Sequence, residues 1–193
     1  MTMPRLQVIK VGGSLLDWPE LPHRLGAWLI KNPAQQQLLI AGGGEFTDAI
    51  RKADAVHGLG EETSHMLCVE ALSVTARLLG QLLNLPVIEE LQSDRRTYSA
   101  VPQTRACVFN PLRFLTHNEA RLPGTRLPRT WQATTDSVAA RVAACLGADE
   151  LILLKSASPT TPVLAHLAGA GYVDGHFPIA AQGLEVRLVN LRG

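Results

Sequence analysis

The stretch that decides the fold is Ile9-Lys10-Val11-Gly12-Gly13-Ser14, where an apolar, β-rich run that starts at Leu6 ends in two glycines. Glycines let backbone N–H groups approach an anion closely, and the amino end of a following helix favours negative charge. Lys10 interrupts the apolar strand, and a buried ammonium needs a partner. The segment is therefore either a plain tight turn or one edge of a phosphate site. Its spacing differs from those of the dinucleotide fingerprint and the Walker A loop.

The same pattern recurs at Leu39-Ile40-Ala41-Gly42-Gly43-Gly44-Glu45-Phe46. A predicted strand at 37–41 again runs into glycines, and a predicted helix at 45–56 follows. One such turn is a weak signal, but two in one chain favour two anion-binding edges that face one cleft. Phosphoryl transfer needs this arrangement, because its catalysis consists mostly of positioning and charge neutralisation.

A third segment, Trp131-Gln132-Ala133-Thr134-Thr135-Asp136-Ser137, precedes an alanine-rich helix that is predicted over 136–146 and ends at Gly147 as its C-cap. In one interpretation Thr135 caps this helix and Asp136 complements its dipole. In the other, Asp136 orients Lys10 or another cation at bound phosphates. The sequence alone leaves both interpretations open.

Outward from these segments, short apolar runs alternate with amphipathic ones, which predicts a parallel sheet covered by helices on both faces. In such sheets ligands bind beyond the carboxyl ends of the strands. Asp17 is predicted to cap a helix with Pro19 in its first turn. The remaining elements are predicted as strands at 6–11, 86–88, 106–109, 151–154 and 186–189, helices at 19–30 and 61–83, and loops at 115–129 and 156–162.

Composition narrows the possible partners. The chain has 193 residues, 46% of them hydrophobic, and a net charge of +1, which fits a single domain over 1–193 and gives no global field to hold nucleic acid or a membrane. No uncharged apolar run approaches about 20 residues, and the N-terminus lacks a signal-peptide layout, so we expect a cytoplasmic protein. Cys68, Cys107 and Cys145 have no metal-ligand spacing, and we expect them to be buried thiols, with no metal site.

The order Lys-x-Gly-Gly-Ser, Gly-Gly-Gly and Thr-Thr-Asp-Ser resembles the amino acid kinase superfamily over nearly the whole chain. That group includes acetylglutamate, uridylate, aspartate and isopentenyl phosphate kinases. The resemblance implies a three-layer α/β/α sandwich with a mainly parallel central sheet, the carbamate kinase-like fold. It also implies ATP as donor, with Mg²⁺ held largely by phosphates, and a homodimer formed across a long helix on one face, for which the helix at 61–83 is the candidate.

Within the superfamily, the chain resembles in particular the kinases that act on aminomethylfuran phosphate in methanofuran biosynthesis. That branch implies a phosphorylated small-molecule acceptor. The residues that carry this likeness are Gly42 to Phe46, Ile50, Arg51, Lys52, Asp54, Ser64, His65, Trp131, Thr135, Asp136, Ser137, Asp174, Phe177, Pro178 and Ile179.

The resemblance implies roles for individual residues. Lys10 and Asp136 are expected to be catalytic, with Lys10 on the transferring phosphoryl group and Asp136 organising the lysines. The nucleotide phosphates are assigned to Gly12, Gly13, Ser14 and Ser156. The acceptor side is assigned to Gly42, Gly43, Gly44, Glu45, Arg51, His65 and Gln132. A solvated helix face for Arg51 and helix packing for His65 are the simpler alternatives.

The chain departs from many relatives after the strand at 151–154, where Lys155-Ser156-Ala157-Ser158-Pro159 replaces a hydroxyl residue followed by Asp-Val-Asp-Gly. No lysine follows Lys155, although many relatives carry a second catalytic lysine further on. We therefore hypothesise that Lys155 supplies that charge, against the alternative of a solvated lysine at a strand end. The last predicted strand lies close to Gly193, so a closing segment of the family is expected to be missing.

Two alternatives to this function stay open. The protein could be a degenerate relative that binds a nucleotide or ligand without turnover. It could also be a kinase of the same fold with another acceptor, such as a nucleoside monophosphate or an acylamino acid, because the fold does not fix the acceptor.

Overall fold

The computed structural model describes residues 5–91 and 105–193, so the first residues, on which the expectation about a signal peptide partly rests, lie outside it. Within the described ranges the sheet has six strands, all parallel, in the order β3-β4-β2-β1-β5-β6. This confirms the predicted parallel α/β architecture. The strands are β1 Leu6–Val11, β2 Gln36–Ala41, β3 Val87–Ile88, β4 Ala106–Phe109, β5 Glu150–Lys155 and β6 Val186–Asn190.

Helices cover both faces of the sheet, as a three-layer sandwich requires. One apolar cluster joins Leu6 and Val8 of β1 to one helical layer, and another joins Ile9 and Val11 to the opposite layer. The first layer contains α4 (Thr135–Leu146), α5 (Leu164–Gly169) and α6 (Phe177–Ala180), whereas the second contains α1 (Leu21–Lys31) and α3 (Glu61–Leu83). The helix α2 (Gly44–His57) lies against α3 beyond the carboxyl ends of the strands.

Strand parity decides where the lysines point. Side chains alternate between the faces of a strand, so Lys10 shares the α4 face with Leu6 and Val8. The same parity in β5 places Lys155 on the α4 face with Leu153. Both ammonium groups therefore reach the carboxyl edge of the sheet on the side where α4 begins.

The long helix α3 matches its predicted range. By length and composition it could cross a membrane. Its residues Val69, Leu72, Ala76 and Leu79 are buried inside the protein. A helix whose apolar face packs in a protein core is also long and apolar, so its length and composition alone do not indicate a membrane span.

Two predicted helix caps are wrong. The helix α1 begins at Leu21 after Glu20, because a short 3₁₀ turn and its continuation occupy the chain up to that point, and Asp17 instead accepts a hydrogen bond from Arg192. Thr135 is the first residue of α4 rather than its cap, and the preceding Thr134 makes no capping hydrogen bond with its side chain.

Other differences concern the segments that sequence periodicity describes poorly. The predicted loop at 115–129 contains a π-helical turn, Phe114–Asn118, and a 3₁₀ turn, Glu119–Arg121. These turns are held by a buried ion pair, in which Arg141 Nε lies 2.8 Å from Glu119 Oε1. The short helices α5 and α6 were not predicted. Cys107 is buried as expected, whereas Cys68 and Cys145 are only half-buried.

Candidate active site

A buried ion triad lies at the carboxyl edge of the sheet. Lys10 Nζ is 2.8 Å from Asp136 Oδ1, and Lys155 Nζ is 2.7 Å from Asp136 Oδ2. The three side chains are 7%, 5% and 14% exposed for Lys10, Asp136 and Lys155. The partner that the sequence required for Lys10 is therefore Asp136, and Lys155 joins it from the neighbouring strand.

Two ammonium groups face one carboxylate, so the triad carries a net positive charge. Burial alone would raise the pKa of the Asp136 carboxyl, but the charges of Lys10 and Lys155 outweigh it and hold that pKa below its usual value. Burial, with the nearby charge of Lys10, lowers the pKa of the Lys155 ammonium to about 8, although Asp136 opposes the change. Such a site is prepared for a further anion.

The two glycine turns touch each other beside this triad. A Cβ atom on Gly13 would lie 2.3 Å from the backbone N of Gly44, and one on Gly42 would lie 2.4 Å from the backbone N of Gly13. Gly44 also has a positive φ of 55° where it begins α2. The backbones of the two turns thus meet at one edge of the sheet, and that they bind anions stays a prediction.

The residues assigned to the nucleotide lie together at the ends of β1 and β5. The Gly12 N–H donates to the Leu154 carbonyl at 2.8 Å. The hydroxyl groups of Ser14 and Ser156 are 2.9 Å apart and form a hydrogen bond. Arg192, which the sequence did not single out, donates from its guanidinium to the Ser14 carbonyl at 2.9 Å.

A cavity of about 50 Å³ opens between α2, α3 and the amino end of α4, where Thr135, the neighbour of Asp136 in the chain, is part of its lining. It is lined by Arg51 and His65, both assigned to the acceptor, and by Trp131. The Arg51 guanidinium lies 5.1 Å from the centre of the Trp131 ring, which is cation–π geometry. Burial and the charge of Arg129 lower the pKa of His65, which favours its neutral form.

Two residues assigned to the acceptor lie elsewhere. Gln132 is exposed and does not line this cavity, and its main-chain carbonyl accepts a hydrogen bond from the His176 N–H. Glu45 is exposed in the first turn of α2, where its charge complements the helix dipole.

Two functional candidates were missed by sequence reasoning. The Tyr172 carbonyl accepts a hydrogen bond from Lys155 Nζ at 2.8 Å. Asp174 accepts from the backbone N–H groups of Thr134 and Ser137 at 2.9 and 3.0 Å. Asp174 was noticed only as part of a resemblance. The one local signal was a carboxylate followed by glycine, a pattern common in turns without catalytic function.

The fold and the site place the chain among the α/β proteins that bind ligands at the carboxyl edge of a parallel sheet. Residues 5–158 match the amino acid kinase family, and the chain belongs to that family.

Curated relatives agree with this membership. The chain is 22% identical over 149 residues to the [5-(aminomethyl)furan-3-yl]methyl phosphate kinase of Methanocaldococcus jannaschii, a match that covers 77% of this chain and 64% of that protein. It is 28% identical over 94 residues to the acetylglutamate kinase of Cytophaga hutchinsonii, covering 48% of this chain and 34% of that protein. The chain thus spans less than two thirds of the length of these relatives.

Solved structures share the fold at low sequence identity. The uridylate kinase from Archaeoglobus fulgidus superposes with a TM-score of 0.62 at 17% identity, covering 95% of this chain and 89% of that one. The UMP kinase from Bacillus anthracis superposes with a TM-score of 0.64 at 12% identity, covering 100% and 89%. These neighbours confirm the predicted amino acid kinase fold.

Proposed function

We propose that the protein is an ATP-dependent phosphotransferase that acts on a small phosphorylated acceptor. The observation that carries this proposal is the buried carboxylate of Asp136 between the ammonium groups of Lys10 and Lys155. A buried excess of positive charge is costly unless an anion balances it. The phosphates of a nucleotide and of the transferring group would supply that balance.

The geometry fits an in-line displacement without a covalent intermediate. An acceptor oxygen forms a new bond to the γ-phosphorus of ATP, while the bond from that phosphorus to the bridging oxygen breaks and ADP leaves. Lys10 and Lys155 neutralise the charge on the equatorial oxygens, and the backbone N–H of Gly13 contacts the phosphates, whereas the Gly12 N–H already donates to the Leu154 carbonyl. The glycine turns pack directly against each other, so the lack of side chains is what lets the loop ends of β1 and β2 approach this closely.

Mg²⁺ fits this site through its substrate rather than through a protein cage. In the described ranges, no group of three or more His, Cys, Asp or Glu side chains could hold a metal ion. Mg²⁺ keeps several waters and binds substrate phosphates readily. When bound, it would add charge neutralisation between the phosphates of ATP.

For the acceptor, we propose a phosphorylated molecule such as aminomethylfuran phosphate, used in the biosynthesis of a methanofuran-type cofactor. The cavity beside the triad supports this choice, because Arg51 presents a guanidinium suited to a phosphate and Trp131 offers an aromatic wall. The match to the Methanocaldococcus jannaschii kinase supports it as well. A nucleoside monophosphate or an acylamino acid is the alternative within the same reaction class.

A second candidate is a binding protein that holds a nucleotide or ligand without turnover. The hydrogen bond between Ser14 and Ser156 favours it, because the loop after β5 is already tied to the loop after β1. In addition, the Lys155 ammonium already has a carboxylate and a carbonyl as partners.

We also propose that the protein is a cytoplasmic homodimer. The outer face of α3 supports the dimer, because Leu67, Val74 and Leu82 are 38%, 50% and 37% exposed there. Apolar side chains that are exposed along one helix suit a second copy of the same face.

The decisive experiment measures ADP release with ATP, Mg²⁺ and aminomethylfuran phosphate or other phosphorylated acceptors. Wild-type protein, Lys10→Ala and Lys31→Ala are compared. Lys31 serves as the control because it is an exposed lysine at the last residue of α1 and is not part of the triad. The kinase proposal expects Lys31→Ala to match wild type and Lys10→Ala to lose activity by about 10²-fold or more. If wild type and Lys10→Ala release no ADP while ATP raises the melting temperature of both, the protein binds a nucleotide without turnover.

A further inference from the structure

The amino end of α4 is held from a distant part of the chain. The first N–H groups of a helix have no partner within the helix, and Thr134 provides no capping hydrogen bond with its side chain. Asp174 Oδ2 accepts instead from the Thr134 N–H at 2.9 Å, the Thr134 hydroxyl at 2.8 Å and the Ser137 N–H at 3.0 Å. A carboxylate at this position also complements the helix dipole. The cap of α4 is therefore a tertiary contact.

The other oxygen of the same carboxylate fixes its own turn. Asp174 Oδ1 accepts from the His176 and Phe177 N–H groups at 3.1 and 2.9 Å, and from the Ser137 hydroxyl. Six donors thus converge on one carboxylate. Asp136 lies between Thr134, which precedes α4, and Ser137 in its first turn, and this carboxylate binds both residues. Its backbone is fixed on both sides.

The turn that contains Asp174 also holds the second lysine. The Tyr172 carbonyl accepts from Lys155 Nζ at 2.8 Å, and the Tyr172 ring centre lies 5.3 Å from that atom. The Tyr172 hydroxyl donates to the Ala157 carbonyl at 3.0 Å, which ties the turn to the loop after β5. Val173, which lies between Tyr172 and Asp174, is 3% exposed and anchors the turn in the core.

We propose that the turn 172–174 is the positioning element of the ion triad, in which Asp174 fixes Asp136 through the amino end of α4 and the Tyr172 carbonyl fixes Lys155. Asp174 is a positioning residue, since it contacts neither the lysines nor the cavity. The consequence is that one short segment sets the distance between a carboxylate and an ammonium that come from different elements. This inference concerns the site of the proposed kinase, but the geometry of the triad can be tested without turnover.

The first test is a pH titration by NMR of protein labelled with ¹³C at the lysine ε-carbon, with the Lys155 signal assigned by its loss in Lys155→Arg. In wild type the Lys155 ammonium is expected to titrate at a pKa of about 8. In Asp174→Asn the side-chain amide would direct N–H groups at backbone N–H groups that are themselves donors, so Asp136 should move. The titration midpoint of Lys155 should then change by more than about 0.5 pH units. An unchanged midpoint overturns the proposal, whether or not the protein is a kinase.

The second test is kinetic. A displacement of about 1 Å can cost about 10²-fold, so Asp174→Asn is expected to lower kcat by about 10- to 100-fold while both KM values change by less than about 3-fold. The matched control is Glu150→Gln, which also neutralises a carboxylate in a hydrogen-bonded network, located at the amino end of β5 and paired with Arg187 at 2.8 Å. This control should lose stability without losing kcat.

A kcat for Asp174→Asn that stays within about 3-fold of wild type, or that falls only as far as that of Glu150→Gln, overturns the positioning role. If Asp174→Asn does not fold, Ser137→Ala decides, because it removes one hydroxyl donor to Asp174 and leaves the backbone contacts. It should shift the Lys155 midpoint in the same direction to a smaller extent, and no shift contradicts the proposal. If wild type shows no transfer, the proposed function fails while the titration still tests the positioning.

Discussion

Gly13 and Gly44 meet backbone to backbone across the carboxyl edge of the sheet, so closely that a methyl group on Gly13 would lie 2.3 Å from the Gly44 nitrogen. The two residues belong to turns that follow different strands, and the contact is possible only because neither has a side chain. This contact brings the loop after β1 against the amino end of α2.

The contact predicts that Gly13→Ala is damaging. The added methyl group meets backbone atoms, which cannot rotate away, so we expect a loss of about 1–3 kcal/mol in the free energy of unfolding. We also expect activity to fall, because the turns must move apart. Urea unfolding and the ADP-release assay measure the two effects. Gly26→Ala is the control, since Gly26 lies within α1 with no atom within 4 Å of an added Cβ. It should gain about 0.5–1 kcal/mol. A Gly13→Ala protein as stable as wild type would show that the contact is looser than described.

Asp136→Asn is expected to abolish most of the activity. The change removes the charge that balances Lys10 and Lys155, and truncating one partner of a buried ion pair typically costs about 3–5 kcal/mol of stability. Turnover should fall by about 10²-fold or more. Thermal unfolding and ADP release are measured in parallel with Glu20→Gln, an exposed carboxylate 3.6 Å from Arg24. Equal behaviour of the two variants would refute the role of Asp136.

The activity should fall as pH rises through about 8, where Lys155 loses its proton. Lys155→Arg should move this alkaline limb to higher pH, because a guanidinium stays charged. Profiles of kcat between about pH 6 and pH 10 provide the measurement. An alkaline limb that stays in place in Lys155→Arg would assign it to another group.

The same group makes a prediction about stability, with a defined sign. The folded-state pKa of Lys155 is lowered from 10.5 to about 8, so between these values the unfolded chain binds more protons. The contribution of Lys155 to the free energy of unfolding therefore increases with pH across that window. Denaturant titrations of wild type and Lys155→Met at several pH values test it. The free energy of unfolding of wild type minus that of Lys155→Met should rise with pH through this window. If it falls instead, the sign is wrong.

Arg51→Ala should weaken acceptor binding and leave ATP binding unchanged. Arg51 lines the cavity beside the triad, and a lost charge-assisted hydrogen bond of about 1.5–3 kcal/mol corresponds to a rise of about 10- to 100-fold in the acceptor KM. Arg24→Ala is the matched control, because that guanidinium also lies over a tryptophan, 5.9 Å from the Trp18 ring, away from the cavity. A change in the KM for ATP alone would contradict the assignment of Arg51 to the acceptor.

The sequence predicted the central part of the site because its signals are local. Lys10 in an apolar strand required a buried counter-charge, and the segment around Asp136 offered one at the start of a helix. Strand parity then accounts for Lys155, which follows Leu151 and Leu153 on the same face of β5.

The remaining features depend on long-range contacts that no local pattern encodes. Asp174 caps a helix that begins at Thr135, 39 residues earlier in the sequence. The contact of Tyr172 with Lys155 uses a backbone carbonyl, which every residue possesses. Similarly, the turns around Glu119 depend on Arg141, which lies in α4 and appears in the sequence only as one charge among alanines. The helix α6, Phe177–Ala180, is too short to show a helical period.

The alternation that brings Lys10 and Lys155 to one face also limits how such a chain can diverge. Inserting or deleting a single residue within β1 would rotate Lys10 into the apolar layer beneath α1 and α3, and would expel Ile9 or Val11 from it. Loops beyond the strands can change length without this penalty. Natural variants of the chain should therefore carry their length differences outside β1 and β5, and a library of random single-codon insertions should recover almost no active clones within them.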